Sequence, residues 1–171
     1  MNLSEVIQAR QSVRAYQSRE IDRDTLARIL EAINQAPSAG NLQAYRVWLV
    51  RDSHRKQQLA QAALGQDFMA RAPVVLVFCT EPARAARYGK RGADLYCIQD
   101  ATVAVAYAQL AATAEGLATC WIGAFNETEV AGVLGLSAAY RPVAMLPVGY
   151  AAEMPPRTPR RPLSELVVNR V

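Results

Sequence analysis

The 171-residue sequence lacks most of the side chains that carry out enzymatic chemistry unaided. Its single histidine, His54, lies in a polar run at residues 53–56. A zinc site of the His-rich kinds is therefore excluded, and a Ser-His-Asp triad would require His54 to lie in a cleft. The sequence has no Cys-x-x-Cys pair, no Gly-x-Gly-x-x-Gly fingerprint and no Walker loop, because its one Gly-Lys run, at 89–92, has the wrong spacing. The chain therefore either only binds a ligand or relies on a cofactor for its chemistry.

Cysteines and long apolar runs are also scarce. Cys79, Cys97 and Cys120 are odd in number, widely spaced and flanked by apolar or aromatic residues. This pattern predicts buried free thiols in a reducing compartment, not disulfides or a metal cluster. No apolar run reaches the about 18 residues that cross a bilayer, and residues 1–5 lack the pattern of a secretory signal. We therefore expect a cytoplasmic protein with no membrane partner.

The surplus of positive charge is small and scattered. The sequence has 19 Lys and Arg against 15 Asp and Glu, which gives a formal net charge of +4. No basic helix interleaved with aromatic residues is present, so a nucleic-acid partner is not expected. Scattered arginine pairs suit a phosphorylated small molecule better. The length and the hydrophobic fraction of 51% are those of one ordinary globular domain over residues 1–171.

Apolar periodicity predicts helices and strands in irregular alternation. Helices are expected at 3–10, from an Asp22 cap through residue 33, from a Ser53 cap to residue 64, and at 94–115 and 127–134. Strands are expected at 45–50, 73–79, 117–122 and 140–148. This order predicts a three-layer sandwich of helices around one mixed sheet. The helix at 94–115 is apolar nearly all round and is expected to be shared with a dimer partner. The proline-rich tail at 155–162 is expected to run extended over a surface of this chain or a neighbour's.

Arg10, Ser12 and Arg14 form the first of four polar clusters that do not suit a plain core. In an extended segment these alternate residues share one face, and in a helix positions 10 and 14 also lie on one side. In both cases the two guanidinium groups repel each other unless an anion such as a phosphate lies between them. The alternative is a pair of solvated surface charges.

The second cluster is the loop at 37–43, where Ser38, Asn41 and Gln43 supply a hydroxyl and two amides. Amides match the edges of a heterocycle or the hydroxyls of a sugar chain, although Gly40 and Asn41 could simply make the turn. The third cluster is the strand end at 120–126, where backbone amides beside Gly123 could face a flat ligand, unless this is an ordinary strand-to-helix turn. The fourth is the arginine-proline tail, which could instead be solvated or bind a partner domain.

Read together, these segments resemble the FMN-dependent nitroreductase family, and the resemblance covers nearly the whole chain. It is carried, in this order, by residues 10–16, 36–43, 99–100, 116–123, 147–150 and 160–163. It implies a nitroreductase-like α+β fold: a three-layer α/β/α sandwich with a central mixed, mostly antiparallel sheet. It also implies that the C-terminal tail wraps on the partner subunit of a homodimer. The chain resembles a short member of the family with little of a lid.

The resemblance also implies two FMN sites at the dimer interface. Arg10 and Arg14 would hold the phosphate, Ser12 the ribityl or pyrimidine region, and Arg160 or Arg161 a further phosphate oxygen. The loop at 37–43 would come from the other subunit and lie against the flavin, and the backbone at 122–123 would lie near the reactive ring nitrogen. The cofactor-binding residues implied in this way are Arg10, Gln11, Ser12, Arg14, Pro37, Ser38, Ala39, Asn41, Gln43, Ile122, Gly123, Arg160 and Arg161.

The implied activity is a ping-pong transfer of reducing equivalents from NADH or NADPH, through FMN, to an electron-poor small molecule such as a nitroaromatic or a quinone. No catalytic side chain and no metal is needed, because the flavin carries the chemistry. Arg87, Tyr88 and Lys90, in the candidate lid at 80–94, are expected to contact substrate, unless this stretch is a solvated basic face. The alternatives are a non-catalytic FMN-binding or sensing protein, and reductive dehalogenation or enone reduction on the same scaffold.

Overall fold

The computed structural model describes residues 1–168. Over that range the helices are α1 (Leu3–Ala9), α2 (Arg23–Asn34), α3 (Ser53–Ala62), α4 (Gly89–Arg91), α5 (Cys97–Ala114), α6 (Glu127–Leu134) and α7 (Leu163–Leu166), and the strands are β1 (Tyr45–Val50), β2 (Val74–Thr80), β3 (Ala118–Thr119) and β4 (Arg141–Gly149). Short 3₁₀ turns occur at Ala39–Asn41, Asp67–Arg71 and Pro82–Tyr88, and a π-helical turn occurs at Gly92–Tyr96. In this part of the chain, no helix combines the length and the apolarity needed to cross a membrane.

One sheet separates two apolar cores. Its strand order is β1-β2-β4-β3, and each neighbouring pair is antiparallel. Alternate residues of β2 point to opposite faces, so Leu76 and Phe78 pack with α2 and α5, whereas Val75 and Val77 pack with α3 and α6. A parallel bridge joins Ser12 to the edge strand β3. The predicted three-layer sandwich with a mixed, mostly antiparallel sheet is therefore confirmed.

The helix boundaries follow from local capping. Asp22 caps α2, as predicted, because its carboxylate accepts the Thr25 N–H at 2.8 Å. The predicted Ser53 cap of α3 is wrong. The Asp52 carboxylate accepts the Arg55 N–H at 2.8 Å, so Ser53 is the first helical residue.

Helices α1 and α3 end one and two residues before their predicted bounds, and α5 and β3 are also shorter than their sequence patterns predict. Helix α5 begins at Cys97, because the backbone before it takes the π-helical turn Gly92–Tyr96. Glycine is needed at position 92, where a Cβ would lie 2.2 Å from the Ala85 carbonyl oxygen. The predicted strand at 117–122 reduces to β3, and Ile122 rejoins the sheet only through an isolated bridge to Met145.

The tail at 155–162 has no regular secondary structure, as predicted from its prolines. The single-turn helix α7 follows it. Leu163 is 74% exposed and Leu166 is 54% exposed, so neither side chain is covered by residues 1–168 of the same chain. That the tail wraps on a partner subunit stays a prediction.

Candidate functional site

The segment after α1 is extended and is pinned to the sheet by its backbone. Helix α1 ends at Ala9, and Arg10 has φ −57° and ψ 123°. The Val13 N–H then donates to the Thr119 carbonyl at 3.0 Å. Because Val13 is buried, the side chains on either side of it face the opposite way. The extended arrangement of Arg10, Ser12 and Arg14 is therefore confirmed, and the helical alternative is wrong.

A cavity of about 620 Å³ lies between this segment and the tail. It brings together four of the predicted residues near position 10 with Arg160, and it adds Arg157, which the site prediction left out. Arg161 does not line the cavity. The lining residues are Ile7, Gln8, Arg10, Gln11, Ser12, Arg14, Pro155, Pro156, Arg157, Thr158 and Arg160.

The cavity is electropositive. Within residues 1–168, no carboxylate lies within 4.0 Å of the guanidinium groups of its four arginines, whereas Arg28, Arg46 and Arg141 all form ion pairs elsewhere. The nearby Glu153 carboxylate accepts the backbone N–H of Arg14 and does not pair with a guanidinium group. Four like charges around one cavity favour an anionic ligand.

The Gln11 side chain adds an unmet hydrogen bond to this cavity. Its Oε1 atom is buried and accepts no hydrogen bond within the part of the chain that the structure describes. A buried acceptor without a partner costs about 1–3 kcal/mol. A ligand that carries hydroxyl or N–H donors as well as an anionic group would relieve this cost.

Two buried groups beneath the arginines stay uncharged. Burial raises the pKa of the Cys120 thiol, although Arg14 and Arg10 oppose the shift. Burial also raises the pKa of Tyr16, whose hydroxyl donates to the Val13 carbonyl at 2.9 Å. Neither group therefore supplies a negative charge that would neutralise the arginines.

The loop at 37–43 is held by a buried carboxylate on α5. Asp100 is only 4% exposed, and its two oxygens accept the N–H of Ala39 at 2.9 Å and of Ala44 at 3.3 Å. The site prediction left Asp100 out. The sequence does contain an indication of this role, because an acidic residue inside an apolar helix requires hydrogen-bond donors when it is buried.

The polar side chains of the loop partly satisfy one another. The Ser38 hydroxyl accepts the Gln43 N–H at 3.0 Å, and the Gln43 Nε2 donates to the Asn41 Oδ1 at 3.0 Å. Gly40, Asn41 and Gln43 all have positive φ, at 55°, 56° and 49°. These residues therefore do make the turn. Within the described residues 1–168, the Asn41 Nδ2 and the Gln43 Oε1 form no hydrogen bond and are available to a ligand.

The candidate lid packs on this loop. The Arg84 Nε donates to the Leu42 carbonyl at 2.9 Å. The Arg87 Nη2 lies so close to Gly40 that a Cβ there would be 2.1 Å away, and Arg87 donates to the Tyr88 hydroxyl at 2.9 Å. The ammonium group of Lys90 pairs with Asp94, one helical turn later, and its role as a substrate contact stays a prediction.

The strand end at 122–123 has one backbone N–H without an acceptor among residues 1–168. The Ile122 N–H donates to the Met145 carbonyl at 2.9 Å, and the position of the backbone at 122–123 near the flavin ring stays a prediction. The bridge to β4 uses this donor. Gly123 is exposed, and its N–H donates to no group within residues 1–168. Of the two backbone donors, only the Gly123 amide is available to a ligand.

The two halves of the predicted site do not meet in one chain. Residues 37–43 do not line the cavity beside Arg10, and in the described part of the chain their contacts run to α5 and to the 82–88 turn. A ligand that contacts both halves would therefore have to bridge two copies of the chain.

Comparison with known proteins gives a consistent result. Residues 7–66 and 62–150 match the model of the Nitroreductase family. The chain is 32% identical to the FMN reductase (NAD(P)H) of Bacillus subtilis, over 94% of this chain and 71% of that one. It is 31% identical to the NADH dehydrogenase of Thermus thermophilus, over 94% and 92%. The NADPH:FMN oxidoreductase of Vibrio harveyi, solved in complex with NAD+, superimposes with a TM-score of 0.91 at 27% identity, over 100% of this chain and 78% of that one.

Proposed function

This chain belongs to the nitroreductase family and is an NAD(P)H-dependent FMN oxidoreductase, and we propose that residues 1–171 form one flavin-binding domain whose flavin site is completed by a second copy of the chain. The observation that supports this arrangement is the separation of the arginine-lined cavity from the loop at 37–43. Both segments belong to the family resemblance, yet they lie apart in a single chain.

The residues of the cavity fit FMN. Four arginines without carboxylate partners among residues 1–168 suit a phosphate dianion, because guanidinium groups donate forked, charge-assisted hydrogen bonds. The buried Gln11 Oε1 needs a donor, and the ribityl hydroxyls and the ring N–H of FMN are donors. We therefore assign phosphate binding to Arg10, Arg14 and Arg160, and binding of the ribityl or ring region to Gln11 and Ser12.

A second copy of the chain would supply the other wall. The Asp100-anchored loop would present Pro37, Ser38 and Ala39 to the flavin, with Asn41 and Gln43 nearby. Apolar side chains are exposed on α1 and α5, which pack against each other: Ile7 is 55% exposed and Tyr107 is 38% exposed. An apolar surface on these helices supports association with a second copy. The exposed apolar residues of α7 support a tail that wraps on the partner.

The roles of the protein groups are binding and electrostatic. When bound, FMN supplies the redox chemistry, accepting reducing equivalents from NADH or NADPH and passing them to an electron-poor acceptor. The free Gly123 amide is the backbone donor available to stabilise negative charge on the ring system. A cytoplasmic location accords with the three buried, unpaired thiols.

Measurements of bound flavin and of the oligomeric state test the proposed function and the shared site. The purified protein is expected to show flavin absorbance, to lose it on reduction by NADH or NADPH, and to regain it when a nitroaromatic or a quinone is added. Because the site is shared, dilution to the monomer should release FMN at the same protein concentration at which the dimer dissociates. A colourless protein that takes up no added FMN would refute the function, and a monomer that keeps tightly bound flavin would refute the shared site. Flavin that binds but is not reduced by either nucleotide would favour a sensor.

A further inference from the structure

Three arginines gather on the helical turn at 82–96, next to the loop at 37–43. Arg84 and Arg87 lie against the loop itself, at Leu42 and Gly40. Arg91 donates from its Nε to the Tyr96 hydroxyl at 3.1 Å. The rings of Tyr88 and Tyr96 pack edge-to-face with centroids 5.3 Å apart, so two tyrosines connect the guanidinium groups of Arg87 and Arg91.

The turn is a packed element. Ala85 is fully buried, and the missing side chain of Gly92 lets the Ala85 carbonyl oxygen approach to within 2.2 Å of where a Cβ would be. The Arg87 guanidinium carbon lies 4.9 Å from the centroid of the Tyr88 ring while the group donates to the tyrosine hydroxyl. A guanidinium held in this way loses less conformational freedom when it binds a ligand.

The positive charge of this turn is not neutralised locally. Its flanking acidic residues are used by other cations, because Glu81 pairs with Arg46 and Asp94 pairs with Lys90. Within residues 1–168, no carboxylate lies within 4.0 Å of Arg84, Arg87 or Arg91. Most donors of the exposed Arg84 and Arg87 groups therefore remain available to an anion.

We propose that Arg87, assisted by Arg84, binds the 2′-phosphate of NADPH and makes NADPH the preferred electron donor of this protein. The inference rests on the proposed function, in which the loop beneath these arginines faces the flavin and therefore the incoming nicotinamide nucleotide. NADPH differs from NADH only by that phosphate, and guanidinium groups recognise phosphates through paired hydrogen bonds. One relative is named for NAD(P)H and another for NADH, so their names do not indicate a preference for NADPH, and we infer it from the arginines of this chain.

The test compares Arg87→Ala with a matched control, Arg55→Ala, which removes an exposed arginine from α3 on the opposite face of the sheet. In FMN-loaded protein, Arg87→Ala is expected to raise the KM for NADPH about tenfold, the loss expected for one charge-assisted hydrogen bond. The KM for NADH should stay within about twofold, and Arg55→Ala should change neither. Adenosine 2′-phosphate should inhibit the wild type competitively and inhibit Arg87→Ala about tenfold more weakly.

The possible outcomes separate this inference from the proposed function. Absence of bound FMN would overturn the proposed function, and with it the inference that depends on it. A flavoprotein that oxidises NADH normally but shows equal KM values for NADPH before and after Arg87→Ala would overturn the inference alone. A wild type without any preference for NADPH would also overturn it. An effect of Arg87→Ala on a carboxylated nitroaromatic, with no effect on NADPH, would reassign the arginine to the acceptor and refute the stated role.

Discussion

Replacing Arg14 by alanine should separate flavin binding from folding. The Arg14 side chain is exposed and forms no hydrogen bond or ion pair within residues 1–168. The segment is instead held through its backbone, by the bonds from Val13 N–H to Thr119 and from Arg14 N–H to Glu153. The substitution keeps both bonds and removes only the guanidinium group that faces the cavity.

The expected effects of Arg14→Ala on stability and on FMN affinity follow from this separation of backbone contacts and guanidinium group. Surface substitutions away from special features change the free energy of unfolding by less than about 0.5 kcal/mol, and removal of one of four clustered positive charges relieves repulsion in the protein without ligand. A hydrogen bond to a charged partner contributes about 1.5–3 kcal/mol. Because the group is exposed and three other arginines share the cavity, the low end applies. We therefore expect the Kd for FMN to rise about tenfold.

The assay is FMN fluorescence quenching, run beside urea unfolding of the protein without flavin. Arg14→Lys keeps the charge but loses the fork, and should bind FMN with intermediate affinity. Arg55→Ala, on the far face, should match the wild type in both measurements. Higher salt should weaken FMN binding more in the wild type than in Arg14→Ala. Unchanged FMN affinity in Arg14→Ala, or a loss of stability that accounts for the weaker binding, would refute the reasoning.

Three further predictions concern Asp100, Gly40 and the buried Cys79. Asp100→Asn should lower the free energy of unfolding by about 1–3 kcal/mol in urea, because its two oxygens each accept a loop N–H and the new NH₂ would face one of these donors; an unchanged midpoint would contradict this. Gly40→Ala should displace Arg87 and raise the KM for NADPH as Arg87→Ala does, and an unaffected KM would show that the contact is unimportant. Burial raises the pKa of Cys79 from 9.0 to about 12, so the unfolded state loses this proton first as the pH rises. The free energy of unfolding should therefore fall by about 1.4 kcal/mol per pH unit between those values. In urea titrations at several pH values, the free energy of unfolding of Cys79→Ala should fall less steeply with pH than that of the wild type. Equal slopes for the two proteins would refute the raised pKa of Cys79.

Elements with local signals could be predicted from the sequence. Helix α6 lies at its predicted bounds, because Asn126 caps its first turn and Gly135 ends it in a left-handed conformation. Strand β1 also lies at its predicted bounds, 45–50. The extended form of the segment after α1 needed the structure, since a spacing of two residues fits a strand and a spacing of four fits a helix.

Features that depend on distant contacts could not be predicted from local pattern. Asp100 and Ala39 are 61 residues apart. The periodicity of apolar residues does not indicate that the carboxylate of one accepts a hydrogen bond from the backbone N–H of the other. The bridge that occupies the Ile122 amide likewise depends on Met145, which lies on another strand and leaves no trace in the local sequence. The pairing of Lys90 with Asp94 is the exception, because a spacing of four residues in a helical turn already indicates it.

The arginines of both proposed subsites share one structural property that bears on function. Arg10, Arg14, Arg84 and Arg87 project from segments that the backbone and small residues hold in place, and within residues 1–168 none of these guanidinium groups forms an ion pair. Their replacement therefore leaves no buried charge unpaired, which is the usual cause of large losses in stability. We therefore expect single replacements at the two proposed subsites to change cofactor affinity and donor preference while the fold is unaffected.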